Sequence, residues 1–224
     1  MKNGEGNRKK LFTAIGLLGA FIIWTVAVCL IDVRAIGPMD SGVGFATLNG
    51  FVHRLTGVHM ALYTATDLLS LVPAVVVLGF GCLGLGQWIK RKQILKVDAD
   101  ILVLGGFYVV VAAAFLFFEM VVVNYRPVLI EGKLEASYPS STTMLVMCVM
   151  PTAMMQLRRR IGKASVRRIV EILLGVFTGF MVAGRLLSGV HWLTDIIGGG
   201  LLSAGLVMLY AFMTEKLAAK ENAQ

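Results

Sequence analysis

The chain has 224 residues, is 57% hydrophobic and carries a formal net charge of +8, with a mean hydropathy of +0.80. That balance excludes an ordinary soluble domain, and also a soluble enzyme held by a single anchor, because the charges sit in clusters between long apolar runs. The basic excess calls for no nucleic-acid partner, since cations that flank membrane spans are explained by topology and by anionic lipid headgroups.

A span needs about 20 apolar residues, within a range of roughly 17–25. The chain opens with a polar tail over residues 1–10. Apolar runs follow at Leu11–Ile31, Leu68–Ile89, Ile101–Val123, Thr143–Leu157, Ile169–Leu187 and Trp192–Met213. The first is too long for a secretory h-region and has no clear cleavage site, so it reads as a retained anchor. Between the first two, residues 32–67 show partial helical periodicity through Phe45, Leu48, Phe51, Val52 and Leu55, as in an interfacial amphipathic helix. The fourth run is short and borrows residues from Tyr138 onward. Residues 217–224 form a second tail. None of these runs alternates as a membrane barrel strand would. The predicted fold is therefore all-α: a polytopic six-transmembrane helical bundle forming one domain over residues 11–216. Cys29, Cys82 and Cys148 fall inside spans and read as small buried apolar residues, with no disulfide framework or metal-ligand spacing.

Basic residues set the orientation. Lys2, Arg8, Lys9 and Lys10 precede the first span. Lys90, Arg91, Lys92 and Lys96 follow the second. Arg158, Arg159, Arg160, Lys163, Arg167 and Arg168 follow the fourth, and Lys216 and Lys220 follow the sixth. A six-span chain puts all of these on one side and leaves only Arg34, Arg54, Arg126, Lys133 and Arg185 for the other. Both termini are thus predicted to be cytoplasmic, with Arg126, residues 138–142, Arg185 and His191 outside.

Three polar clusters meet on that outer side: Asn124-Tyr125-Arg126-Pro127, Tyr138-Pro139-Ser140-Ser141-Thr142-Thr143, and Gly184-Arg185 with His191 and Asp195. Ionisable residues at membrane segments are functional-site candidates. Two arginines among hydroxyls suit a phosphate, which guanidinium groups bind bidentately without losing charge. Pro139 and Ser140 mark a helix amino terminus, whose free N–H groups also bind phosphate. His191 and Asp195, four apart, would share a helix face, so that the carboxylate fixes the imidazole tautomer. A neutral imidazole can then attack phosphorus and form a covalent intermediate. Histidine, arginine and backbone groups suffice for this chemistry, so neither a metal nor a cofactor is expected.

These motifs resemble those of the type 2 phosphatidic acid phosphatase (PAP2) superfamily, membrane enzymes related to vanadium haloperoxidases. The family pattern is Lys-x6-Arg-Pro, then Pro-Ser-Gly-His, then Ser-Arg-x5-His-x3-Asp. Arg126-Pro127, Pro139-Ser140 and Arg185, His191 and Asp195 match it in order and spacing. The resemblance implies a PAP2-like core, phosphate binding by Arg126, Ser140, Ser141 and Arg185, and His191 as nucleophile paired with Asp195. It also implies a lipid phosphate or pyrophosphate as substrate. Taken with the compact chain, it implies a bacterial plasma membrane protein with its active site facing outward.

Four positions depart from the pattern. Gly184 replaces serine, Glu119 replaces lysine, Ser141 replaces glycine, and Thr142 replaces the histidine that protonates the leaving group. Glu119 would pair with Arg126 or Arg185. His53, His59, Glu131 and Glu135 are outer-side candidates for a substitute acid. General acid catalysis is typically worth about 10²–10⁴-fold. Its loss should matter least for a phosphate leaving group, which favours polyprenyl pyrophosphate over simple monoesters. The same departures suit a catalytically impaired relative that binds or moves phospholipids. A lipid phosphotransferase is the remaining alternative.

Overall fold

The computed structural model describes the backbone of residues 2–221 and the side chains of residues 5–219. Its helices are α1 (Lys2–Leu30), α2 (Ala46–Thr56), α3 (Met60–Leu69), α4 (Leu71–Arg91), α5 (Ala99–Met120), α6 (Ser141–Arg160), α7 (Ala164–Leu187) and α8 (Leu193–Glu221). A two-residue antiparallel pair, β1 (Arg34–Ala35) with β2 (Gly42–Val43), precedes α2. Among the described residues, five helical stretches are long and apolar enough to cross a membrane: Glu5–Leu30, Met60–Arg91, Ala99–Met120, Ala164–Leu187 and Leu193–Ala219. The chain is an integral membrane protein. Side chains such as Ile22, Val75, Leu116 and Val176 point outward, where hydrocarbon and not water is the matching solvent.

α6 does not join those five by composition, and its position explains why. It packs between α4, α5, α7 and α8, with Met144, Val146, Val149 and Met150 fully enclosed. A helix surrounded by helices has no lipid-facing surface to keep apolar. Its polar start and Arg158–Arg160 end are therefore tolerated. α8 lies along α1 and α6, and Gly198 lets it approach Tyr138, where a Cβ would sit 2.6 Å from the ring. Burial raises the Tyr138 phenol, which stays neutral and bonds to Thr25 Oγ1 at 2.7 Å.

Several expected boundaries shift. The described part of the predicted amino-terminal tail is helical from Lys2 and continuous with the first span, and α8 runs on to Glu221. Residues 1 and 222–224 of those tails lie outside the described residues. The second span starts at Met60 and not Leu68, with a one-residue break at Ser70. The amphipathic helix expected within 32–67 is α2. Of the cysteines, only Cys148 is buried; Cys29 and Cys82 are exposed on the outer helix surface.

The polar motifs and the basic clusters occupy opposite ends of the bundle. Asp100, at the start of α5, pairs with Arg160 at the end of α6, 3.1 Å away. Lys10 pairs with Glu215 at that same end. The opposite end gathers the β1–β2 turn, α2, the start of α6 and the turn joining α7 to α8.

Candidate active site

His191 lies in the turn between α7 and α8, two residues before α8 begins at Leu193, and not on a helix face. That corrects the expected shared face. The turn needs Gly189, whose φ of +69° and contact with the Gly57 carbonyl leave no room for a side chain. The imidazole is 3% exposed. Its Nδ1 lies 3.2 Å from the Ser137 carbonyl oxygen and 3.7 Å from Asp195 Oδ2. A carbonyl only accepts, so Nδ1 carries the proton and Ser137, with Asp195 behind it, fixes the tautomer. Nε2 is then an unprotonated lone pair, 3.4 Å from Arg126 Nη1.

Asp195 serves mainly as a scaffold. Its Oδ2 accepts the Trp192 N–H at 2.9 Å, as an acidic residue in a first helical turn closes back on the cap. Its Oδ1 accepts from Asn124 Nδ2 at 3.2 Å. Its carbonyl accepts the Ser140 N–H at 3.1 Å, tying the α8 start to the α6 start. Asn49 of α2 adds hydrogen bonds to Thr194 from both ends of its amide. All three expected clusters therefore converge.

Burial, the largest influence, pushes the His191 pKa down from 6.5 to about 4; Asp195 opposes the shift, and the charges of Arg126 and Arg185 reinforce it. The ring is neutral at physiological pH. In detergent, ¹⁵N-labelled His191 is expected to keep the shifts of an Nδ1–H neutral tautomer down to near pH 4. Titration near 6.5 would show that the ring is solvated. Because the folded value is lowered, the unfolded chain binds the proton more readily between about 4 and 6.5, so stability falls as pH drops through that window.

The two arginines flank Tyr63 of α3, with their guanidinium carbons 6.0 Å (Arg126) and 5.0 Å (Arg185) from its ring centre. Arg185 is enclosed; its Nη1 donates to Thr66 Oγ1 at 3.3 Å and its Nη2 lies 3.5 Å from Asp67 Oδ1. Arg126 pairs with Glu135, 3.1 Å from Nε, but off the axis of that N–H. Glu119 pairs with neither arginine among the described residues, against expectation; it is exposed beside the Arg126–Glu135 pair, along an outer opening. Gly184 stands in the family's serine position because α3 touches α7 there. A Cβ on Gly184 would meet Thr66 Cγ2 at 2.7 Å.

Buried polar atoms without a partner among the described residues include Arg126 Nε, Arg185 Nε, Ser140 Oγ and Thr143 Oγ1. Orphaned buried donors are costly and mark where a ligand is expected. Ser140 caps α6 by position, but its side chain makes no capping bond. Ser141 and Thr142, at the first turn of α6, line a cavity of about 610 Å³ together with Asp67, Arg126 and Arg185. Its other walls are apolar: Val77 and Leu78 of α4, and Tyr108, Ala112 and Phe115 of α5. A second apolar groove of about 610 Å³ shares Val77, Tyr108 and Ala112 and continues to Trp88. Of the other acid candidates, His53 bonds to the Gly189 carbonyl at 3.1 Å and His59 to the Thr56 carbonyl at 2.8 Å. Sequence reasoning missed Tyr63, Thr66 and Asp67, and also Ser137 and Asn49.

Residues 121–218 match the PAP2 superfamily. The overall structure is similar to the crystal structure of a transmembrane PAP2-type phosphatidylglycerolphosphate phosphatase from Bacillus subtilis. The TM-score is 0.62 at 19% sequence identity, over 92% of this chain and 97% of that one. None of the curated proteins compared with the chain matches it. The segment carrying Arg126, Ser140, Arg185, His191 and Asp195 thus lies wholly within the part of the chain that matches the PAP2 superfamily, and the fold is similar to that of a PAP2-type phosphatase.

Proposed function

We propose that the protein is a membrane phosphatase that removes phosphate from a lipid phosphate or pyrophosphate through a phosphohistidine at His191. The observation that carries this reading is the unprotonated Nε2 of His191 beside Arg126, which with Arg185, Ser141 and Thr142 forms the polar part of an otherwise apolar cavity wall. In the first step Nε2 bonds to phosphorus and the bond to the leaving oxygen breaks. Arg126, Arg185 and the free N–H groups at the start of α6 stabilise the equatorial oxygens. Asp195 balances the charge that develops on the imidazole. Water then attacks phosphorus, the N–P bond breaks, and phosphate leaves.

Polyprenyl pyrophosphate is the favoured substrate. Thr142 lines the cavity where the family has an acid, so a leaving group stable as an anion suits the site best. The two adjoining cavities support a long tail. Between them they line α4 from Ser70 to Trp88, which is roughly 27 Å of helix, close to the full hydrocarbon thickness of about 30 Å. A tail longer than one leaflet uses that length.

The bundle would cross six times, with α6 as the sixth crossing. Basic clusters at the end away from His191 support cytoplasmic termini and an outward-facing site in a bacterial plasma membrane. Phosphate release from purified protein in detergent tests the substrate. Polyprenyl pyrophosphate is expected to be cleaved about 10²-fold faster than phosphatidic acid, the scale of a missing general acid. Equal rates would remove the preference. Lipid binding without release would favour the non-catalytic reading, and phosphate appearing on an acceptor lipid would favour a phosphotransferase.

A further inference from the structure

α3 sets three residues against Arg185 from outside the matched segment, and one of them, Asp67, also lines the cavity. Thr66 and Asp67 lie three and four positions after Tyr63, so one helical face turns toward Arg185. Thr66 is committed: its hydroxyl donates to the Leu62 carbonyl at 2.9 Å and receives Arg185 Nη1 at 3.3 Å. The Tyr63 ring centre lies 5.0 Å from the Arg185 guanidinium carbon. Asp67 differs. Its carboxylate is 56% exposed, whereas the Arg185 side chain is 2% exposed, and it lines the cavity itself.

The geometry at Arg185 sets up a competition. A guanidinium offers a phosphate two parallel N–H bonds along its Nε–Nη2 edge. Here Nε has no partner, and Nη2 faces Asp67 at 3.5 Å. A phosphate taking that edge must share or displace the carboxylate. Arg126 repeats the arrangement: its Nε–H lacks an acceptor, and the half-exposed Glu135 stands 3.1 Å away. Each arginine is thus largely buried and faced by one half-exposed carboxylate.

We propose that Asp67 and Glu135 are counter-anions that exchange with the substrate's phosphate at Arg185 and Arg126, and that this exchange weakens retention of the inorganic phosphate product. The inference rests on the phosphatase reading and deepens it. Two carboxylates at the mouth lower the net positive charge that any phosphate meets. A dianionic product is therefore held less tightly than two bare arginines would hold it. The carboxylates also keep the buried cations paired between turnovers, which spares the fold two uncompensated charges.

The test is the affinity for inorganic phosphate, measured as the shift in melting temperature of purified protein in detergent, which needs no turnover. Parent, Asp67→Asn, Asp67→Glu, Glu135→Gln and Arg185→Ala are compared. Asp67→Asn and Glu135→Gln are expected to bind phosphate roughly two- to fivefold more tightly, the range open to a half-exposed charge pair. Asp67→Glu should stay near the parent, and Arg185→Ala should bind far more weakly. The same neutral variants should be inhibited by phosphate at correspondingly lower concentrations during turnover. Unchanged or weaker phosphate binding in the neutral variants, alongside Arg185-dependent binding in the parent, overturns the counter-anion role and leaves the phosphatase reading intact. Absence of any Arg185-dependent phosphate binding overturns both.

Discussion

Replacing His191 by alanine is expected to abolish phosphate release, by about 10³-fold or more, since a covalent nucleophile has no partial substitute. The size of the effect follows from what the ring does. Its Nδ1–H is held by the Ser137 carbonyl, which leaves Nε2 as the only nitrogen able to attack. Alanine also strands that carbonyl, buried at 2% exposure, at a stability cost of about 1–3 kcal/mol. His191→Gln separates the two effects. Its amide can still donate to Ser137 but cannot bond covalently to phosphorus at neutral pH. It should therefore be as inactive as the alanine variant while melting closer to the parent. A glutamine variant retaining a tenth of the activity would mean that water attacks directly.

The second large effect is expected at Arg185. Removing one donor that stabilises transition-state charge typically costs about 10²–10³-fold. Arg185→Lys is the sharper variant, because it keeps the charge and loses the edge that a phosphate grips. Lysine offers one point charge where Arg185 serves Thr66 with Nη1, faces Asp67 with Nη2 and leaves Nε free. Phosphate release should fall about 10²-fold in Arg185→Lys, with an accompanying rise in KM measured across a substrate titration. Activity within threefold of the parent would mean that charge alone, and not the planar fork, serves the reaction. Arg185→Ala should in addition lower the melting temperature, because Tyr63 loses the cation packed on it.

The residues around His191 were largely legible in the sequence. Arg126, Ser140, Arg185 and Asp195 were costly polar residues at regular distances in apolar surroundings, and the fold brings all of them together. The errors have physical causes. The Asp195–His191 spacing suggested a helix face, but Gly189 bends the chain first, and the Ser137 carbonyl takes the ring N–H. No spacing rule reveals a backbone acceptor 54 residues away. Asp67 escapes the sequence pattern for a different reason. A second span that begins at Leu68 leaves this carboxylate in a loop. The helix in fact begins at Met60, and Thr66 and Asp67 are polar because they face Arg185. A charged residue one position before a predicted span was the available signal. Glu119 was assigned a partner by charge alone, and Glu135, on the loop that closes over Arg126, took that place. The α3 contact also explains Gly184, a departure from the family pattern that the motif alone left unexplained.

The most direct measurement is to trap the intermediate. Purified protein is mixed with substrate labelled with ³²P in its terminal phosphate and quenched within milliseconds, and protein-bound label is counted after acid and after base. Label that survives base, is lost in acid and is absent from His191→Gln is the expected result, as a phosphoramidate on the imidazole requires. Rapid phosphate release without bound label, or equal label on the glutamine variant, would contradict His191 as the nucleophile.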